Sequence, residues 1–162
     1  MIYVGIDPGL FGAMAVLTTE GHMLWIRDTP VVRIGSKHHY NYAEMRRLIT
    51  SLPSEAVVAV EEVHTFPKQG VVSQGRMMYG LGLWHGLILA HPYSLERPSP
   101  QTWKKMMLRD VGEKGKDASR WKACQLFPDA APLLQRKKDD GRAEALLIAE
   151  WCRRTRLGHG AP

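Results

Sequence analysis

Acidic residues at the ends of two apolar segments have the type and position to perform chemistry. Asp7 follows the segment Ile2 to Ile6, and the pair Glu61 and Glu62 follows a run of Ala and Val from Ala56 to Val60. Both segments are short and β-prone, as strands are, and a carboxylate at a strand end lies at the edge of a sheet. Successive residues on a strand point to opposite faces, so if one of the two Glu residues faces a site, the other faces away. A turn-forming Asp and a solvated strand end are the alternative interpretations.

A third acidic group begins the last segment with helical periodicity. Asp140 and Glu144 are four residues apart, so a helix places them on one face. Like charges at that spacing repel each other, and a cation between them offsets the repulsion. The alternative interpretation is that Asp139 and Asp140 favour a helix N-terminus through its dipole. That interpretation accounts less well for Glu144, which lies beyond the first turn.

Carboxylates from two strand ends and one helix form a donor set made only of oxygen. Hard cations such as Mg²⁺ and Mn²⁺ prefer such ligands and engage substrate phosphates. Two of them about 3.5–4 Å apart would activate a water and stabilise the leaving oxygen of a phosphodiester. The seven His and two Cys are scattered without zinc-ligand spacing. The 22 Lys and Arg against 16 Asp and Glu give a net charge of +6, which favours a polyanionic partner. The sequence therefore predicts nuclease chemistry.

The elements around these acids predict one mixed α/β domain spanning residues 1–162. Three candidate strands separated by tight turns (2–6, 12–18 and 23–27) predict an antiparallel meander. The run 56–60 is typical of a strand buried on both faces of a parallel sheet. The other predicted elements are helices over 42–52, 73–89, 101–108, 119–127 and 140–156, a short strand at 93–96, and a loop over 29–39.

The predicted helix over 73–89 is unusually rich in glycine. Each glycine costs about 1 kcal/mol in a helix interior, so we expect this helix to pack closely against the sheet or another backbone. Its large apolar residues are expected in the core or an interface rather than in a ligand site. The glycines are Gly75, Gly80, Gly82 and Gly86, and the apolar residues are Met77, Met78, Leu81 and Trp84.

Composition excludes several classes of protein. The 162 residues suit one domain, and 44% hydrophobic with 23% charged residues argues against disorder. Two Cys cannot build a disulfide framework and suit a reducing compartment. No secretory signal is evident at the first residues, and no apolar run reaches the ~18–20 residues that span a bilayer. We therefore expect a cytoplasmic protein without a membrane partner.

Three segments together resemble the RuvC family of Holliday junction resolvases: Gly5-Ile6-Asp7-Pro8-Gly9, Val60-Glu61-Glu62 and Asp140-Gly141-Arg142-Ala143-Glu144-Ala145-Leu146. Their order and spacing match over nearly the whole chain, and the short form resembles phage-encoded members. The resemblance implies an RNase H-like fold and a homodimer in a bacterial or phage-infected cell. It also implies paired symmetric nicking of four-way DNA junctions with two Mg²⁺ or Mn²⁺ ions per active site.

The four acidic positions of the family fall on Asp7, Glu61, Asp140 and Glu144, which would hold the metals. The sequence departs from the family pattern at the last two. The family usually spaces these acids three apart and ends in Asp, whereas the spacing here is four and the final acid is Glu. Asp139 therefore remains a substitute candidate for Asp140.

The resemblance also implies DNA-binding residues. Lys104 and Lys116 match two lysines that contact phosphates, and His64 stands where the family has an aromatic that stacks on a base, with Phe66 as the alternative. Arg142 and its basic neighbours are expected to bind backbone phosphate. The alternative interpretations are solvated surface cations and loop rings folded back on the domain. The family packs the glycine-rich helix at its dimer interface.

Other functions fit parts of the pattern. An actin-like or hexokinase-like ATPase also begins with a strand and an Asp-x-Gly turn, but it needs a second related domain, and no nucleotide cofactor is expected here. A catalytically inactive junction-binding protein would fit the irregular spacing of Asp140 and Glu144. A nuclease for flaps or three-way junctions would use all of the same residues.

Overall fold

The centre of the protein is a five-stranded mixed sheet. A computed structural model describes residues 1–63, 70–112 and 116–158. Within these ranges the strands are β1 (Ile2–Asp7), β2 (Ala13–Thr18), β3 (Met23–Asp28), β4 (Val31–Ile34), β5 (Lys37–Tyr40), β6 (Val57–Val60) and β7 (Ser94–Glu96). The order in the large sheet is β3-β2-β1-β6-β7, antiparallel from β3 to β1 and parallel from β1 to β7. The predicted meander joined to parallel strands is confirmed.

Helices cover both faces of this sheet. They are α1 (Tyr42–Thr50), α2 (Val71–Leu89), α3 (Pro100–Met107), α4 (Lys116–Leu126) and α5 (Asp140–Arg156). Asn41 caps α1 by accepting a hydrogen bond from the Glu44 N–H at 3.2 Å, and Ser99 caps α3 in the same way. Short 3₁₀ turns, Pro128–Leu133 and Lys137–Asp139, connect α4 to α5. In the described part of the chain, no helix is both long and apolar enough to cross a membrane.

The core has two layers, one on each face of the sheet. Side chains of α3, α4 and α5 form one layer, and side chains of α1 and α2 form the other. Helix α5 lies against β1 so closely that a Cβ at Gly5 would overlap the Ala145 carbonyl oxygen and the Ala149 nitrogen. This contact fixes the first turns of α5 beside the end of β1.

The prediction of a loop over 29–39 was wrong. Residues 31–34 and 37–40 form a separate two-stranded antiparallel hairpin, β4–β5, in which Val31 pairs with Tyr40 and Ile34 with Lys37. Gly35 has a φ of 61°, as a tight hairpin turn requires. The segment has no clear apolar alternation because much of it is exposed, so the pattern that predicts half-buried strands is missing.

The glycines of α2 were expected to pack closely against the sheet or another backbone, and within the described part of this chain most of them do not. Among the described residues, Gly80 alone of these four glycines makes a close contact, where a Cβ would overlap the Tyr40 hydroxyl and lie 2.8 Å from the Pro8 carbonyl oxygen. A Cβ at Gly75, Gly82 or Gly86 would meet no described residue within 4 Å. Most of the glycine-rich face therefore does not pack on the described part of this chain. The large apolar residues divide accordingly: Leu81 and Trp84 are buried, Met77 is half-buried and Met78 is exposed.

Candidate active site

Two of the predicted acids follow neighbouring parallel strands. In the sheet Ile6 pairs with Val60, and the Glu61 N–H donates to the Ile6 carbonyl at 3.0 Å. Asp7 and Glu61 are the next residues along their strands, so both lie at the same edge of the sheet. The sequence pattern predicted this placement.

The other two acids arrive on α5. Gly141 lets the helix approach Asp7, because a Cβ there would lie 3.0 Å from Asp7 Oδ2 and 2.8 Å from the Phe11 carbonyl oxygen. The negative charges of Glu144, Glu61 and Asp140 all reach Asp7 and raise its pKa. The structure thus brings the four predicted acids into one electrostatic group centred on Asp7.

Burial changes the protonation of this group. Desolvation is the largest cause of the raised pKa of Asp7, which reaches about 7, while a 3.1 Å hydrogen bond from the Gly9 N–H opposes the rise. Burial also raises the pKa of Glu61, and the hydrogen bond from Trp103 opposes it. A cation placed among these carboxylates would oppose both shifts, because a nearby positive charge favours the ionised form of a carboxyl group.

Three residues orient the carboxylates of Glu61 and Glu144. The buried Trp103 indole N–H donates to Glu61 Oε1 at 2.8 Å. Lys104 Nζ lies 2.9 Å from Glu144 Oε1 and 4.9 Å from the centre of the Trp103 ring. Ser119 donates to the same Glu144 oxygen at 3.4 Å. Sequence reasoning found Lys104 but missed Trp103 and Ser119; the available signal for Trp103 was that a buried indole needs an acceptor.

Asp139 belongs to a different arrangement. It is 3% exposed, and its carboxylate accepts hydrogen bonds from the Arg136 backbone N–H at 2.8 Å and from the Arg136 guanidinium at 2.7 Å. These hydrogen bonds lower its pKa, and its charge does not appear among those that act on Asp7. This position favours Asp140 over Asp139 as the third acid of the site.

The structure places the predicted DNA-binding residues unequally. The Arg142 guanidinium makes two hydrogen bonds to Asp28, at 2.5 and 2.6 Å, so it ties α5 to the end of β3. Lys104 lies within the acidic group, and Lys116 is the first residue of α4. His64 and Phe66 lie outside the described residues. Their predicted contacts with DNA stay predictions, and the engagement of Arg142 with Asp28 gives its predicted role no support.

The carboxylates are not arranged around a single point. Across residues 1–63, 70–112 and 116–158, no group of three or more His, Cys, Asp and Glu side chains is placed to hold a metal ion. The contacts already described explain this, because Glu61 is turned toward Trp103 and Glu144 toward Lys104. The donor chemistry nevertheless fits a hard cation, since the charges of three further carboxylates act on Asp7 and the pKa of Asp7 is raised.

Comparisons with known proteins agree with this geometry. No family model matches the chain. Over 92 residues, which are 57% of this chain, the sequence is 38% identical to a protein named Holliday junction resolvase MOC1, chloroplastic, from Chlamydomonas reinhardtii. The matched segment spans 10% of that relative's length.

Solved structures match over the full chain. RuvC from Thermus thermophilus superimposes with a TM-score of 0.64 at 20% identity, and RuvC from the same organism in complex with a Holliday junction substrate does so with 0.65 at 16% identity. Each match covers 100% of this chain and 99% of the other. The chain has the RuvC fold. The predicted RNase H-like architecture and the resemblance drawn from the three motifs are therefore confirmed.

Proposed function

We propose that this protein is a divalent-metal-dependent endonuclease that cuts four-way DNA junctions. The observation that carries the proposal is the group of carboxylates at the sheet edge, where Glu61, Asp140 and Glu144 all act on the half-buried Asp7. The chain has the RuvC fold, and a cluster of like charges that raises the pKa of Asp7 supports a site that takes up cations. The basic net charge of +6 supports a polyanionic substrate.

The four carboxylates would hold Mg²⁺ or Mn²⁺, with two ions in the site. Such ions, when bound, supply an activated water and stabilise charge on the leaving oxygen. Asp7 and Glu61 come from rigid strand ends, and Glu61 is oriented by Trp103. Ligands held on strands and a helix keep their positions more accurately than ligands on loops.

Lys104 has two roles in this proposal. In the structure its ammonium group forms an ion pair with Glu144. Lys104 lies beside the acids that would hold the ions, so its ammonium group would bind a phosphate of the substrate and reduce the charge that repels DNA from an acidic site.

The choice of a four-way junction over other DNA rests on similarity. The curated relative is named as a Holliday junction resolvase, and one matched RuvC structure contains a Holliday junction substrate. Both statements concern those proteins, and the chain shares only part of the relative's length. A nuclease that cuts flaps and three-way junctions is the alternative that the same site would serve.

The test is cleavage of a four-way junction with a short mobile core, beside a flap and a linear duplex, in Mg²⁺, Mn²⁺ and EDTA. Paired symmetric nicks in the junction alone, lost in EDTA, are expected. Equal cutting of flap and junction would replace the proposal with a general branched-DNA nuclease. Binding without cutting in either metal would indicate an inactive junction-binding protein.

We further propose that α2 forms a homodimer interface through its open glycines. Gly75, Gly82 and Gly86 are spaced at seven and four residues, so they share one helix face, and no described residue lies within 4 Å of a Cβ at any of them. Val71, at 84% exposed, and Leu89, at 69%, flank that face. Exposed apolar side chains next to glycines suit close approach of a second copy.

Substituting Gly82→Arg is expected to convert the dimer to a folded monomer. A Cβ at Gly82 meets no described residue within 4 Å, so we expect the fold to be retained, while the arginine blocks the approach of a partner helix. Sedimentation velocity measures the change, and circular dichroism checks the fold. Gly112→Arg is the matched control, because a Cβ at Gly112 also meets nothing within 4 Å in the described part of the chain. A dimer that persists in Gly82→Arg would contradict an interface on this face.

A further inference from the structure

A small cleft beside the turn that follows Asp7 (residues 8–11, called the Asp7 turn) is lined by hydrogen-bond donors and cations. It lies between the hairpin β4–β5 and helix α2, and its volume is about 110 Å³. Among the described residues, no carboxylate lines it. We call it the hairpin cleft, and the polar side chains that line it include Lys37, His38, His39, Tyr42, Arg76 and Tyr79.

Two cations from different elements line the hairpin cleft. Lys37 comes from β5 and Arg76 from α2, and both are exposed. Neither makes an ion pair with a carboxylate in the described part of the chain. No Asp or Glu occurs from residue 29 to residue 43. Two cations that converge on one cleft without an acid favour an anionic ligand.

The hairpin cleft is fixed relative to the candidate active site. The Tyr40 hydroxyl donates to the Pro8 carbonyl at 3.3 Å, and Pro8 directly follows Asp7. The Tyr42 and Tyr79 hydroxyls lie 2.8 Å apart across the cleft. An isolated two-stranded hairpin is marginally stable, so these contacts hold β4–β5 in place. An anion bound in the cleft therefore has a set position beside the Asp7 turn.

The size and surroundings of the hairpin cleft indicate which anion it takes. A volume of about 110 Å³ is well below the roughly 300–1,000 Å³ of small-molecule pockets, so one phosphate group fits better than a free nucleotide. Phe11 is 71% exposed on the Asp7 turn, and its ring lies edge-on to His38 with centroids 5.5 Å apart. Exposed aromatic rings beside cations are typical of surfaces that bind nucleic acid.

We propose that the hairpin cleft binds a backbone phosphate of the DNA arm next to the cut strand, with Lys37 and Arg76 as its cations. The inference rests on the proposed function and adds a second contact to it, on the sheet face opposite α3 and Lys104. Contacts on both sides of the acidic group would orient the arm across the active site, because phosphate contacts fix register and orientation.

The test is the salt dependence of junction binding in EDTA, measured by fluorescence anisotropy from about 50 to about 200 mM salt. The double variant Lys37→Ala/Arg76→Ala is expected to bind more weakly and to lose about 0.9 from the slope of log K against log salt, as one lost phosphate contact predicts. The matched control Arg46→Ala/Arg109→Ala removes the same charge from exposed positions in α1 and in the turn after α3. It is expected to keep the wild-type slope.

Each outcome separates this inference from the proposed function. Wild-type binding and cutting with equal slopes in both double variants would overturn the hairpin cleft and leave the nuclease intact. Wild-type protein that neither binds nor cuts a junction would overturn both. Calorimetry with inorganic phosphate is the second arm. If Lys37→Ala/Arg76→Ala loses a heat of phosphate binding that the wild type and the control variant show, while its salt slope for junction binding is unchanged, the cleft binds free phosphate. That result would overturn the DNA contact.

Discussion

Replacing Asp7 by Asn is expected to abolish junction cutting while junction binding is kept or tightened. Asp7 lies at the centre of the acidic group, where Glu61, Asp140 and Glu144 act on it. The amide has the same shape but loses the charge that attracts a cation, and it repels DNA less. Loss of an outer-shell partner of a metal ligand costs about 10–100-fold in activity, so loss of a direct ligand should exceed 100-fold.

The matched control is Glu62→Gln, which makes the same carboxyl-to-amide change one residue after Glu61. The charge of Glu62 is not among those that act on Asp7, so cutting should remain near the wild-type rate. Single-turnover cleavage and anisotropy, run on the same junction, separate cutting from binding. If Asp7→Asn loses binding and cutting to the same degree with its fold intact, Asp7 is not a metal ligand.

The same substitution is expected to stabilise the metal-free protein at high pH. The pKa of Asp7 rises from an ordinary 3.8 to about 7 on folding. Between these values the native state holds a proton that the unfolded chain has released, so the free energy of unfolding falls as pH rises from about 4 to about 7. Asp7→Asn has no such proton, so this part of the pH dependence should vanish. Urea unfolding in EDTA at pH 5 and pH 8 measures it, and a wild-type-to-variant difference that is equal at both pH values would contradict it.

Among these substitutions, Gly5→Ala is expected to lower the free energy of unfolding the most. The added methyl would overlap the Ala145 carbonyl oxygen and the Ala149 nitrogen, and it would lie 2.9 Å from the Ala149 Cα. These are backbone atoms of α5, so the helix must move away from β1. Overpacking typically costs about 1–3 kcal/mol, and a clash with backbone should reach the upper end, lowering Tm by roughly 6–12 °C.

The shift of α5 should also reduce cutting, because Asp140 and Glu144 move with it. Gly112→Ala is the control, since it adds the same methyl where no residue that the structure describes lies within 4 Å, and it should change Tm little. Differential scanning calorimetry and the junction assay measure the two effects. A Gly5→Ala protein with wild-type Tm would show that α5 does not rest on β1 as described.

Much of the fold and of the site could be predicted from local sequence. Apolar runs that end in Asp7 and Glu61 predicted two strands with acids at one edge, and the four-residue spacing of Asp140 and Glu144 predicted one helix face. These predictions succeed because strand and helix periods are set by backbone geometry, and burial selects apolar residues at those periods. The helix over 140–156 was accordingly predicted with the bounds that the structure shows.

The tertiary structure decided which partner each charged side chain contacts. Asp139 and Asp140 are neighbours in sequence, yet one is enclosed by Arg136 while the other acts on Asp7. Arg142 pairs with Asp28, 114 residues away, and the spacing that suggested a phosphate contact carries no information about such a partner. The sequence by itself determined the acids, the strands and the helices that carry them. Only the packing of elements distant in sequence decided which oxygen faces which cation, because burial and Coulomb interactions depend on distance in space rather than along the chain.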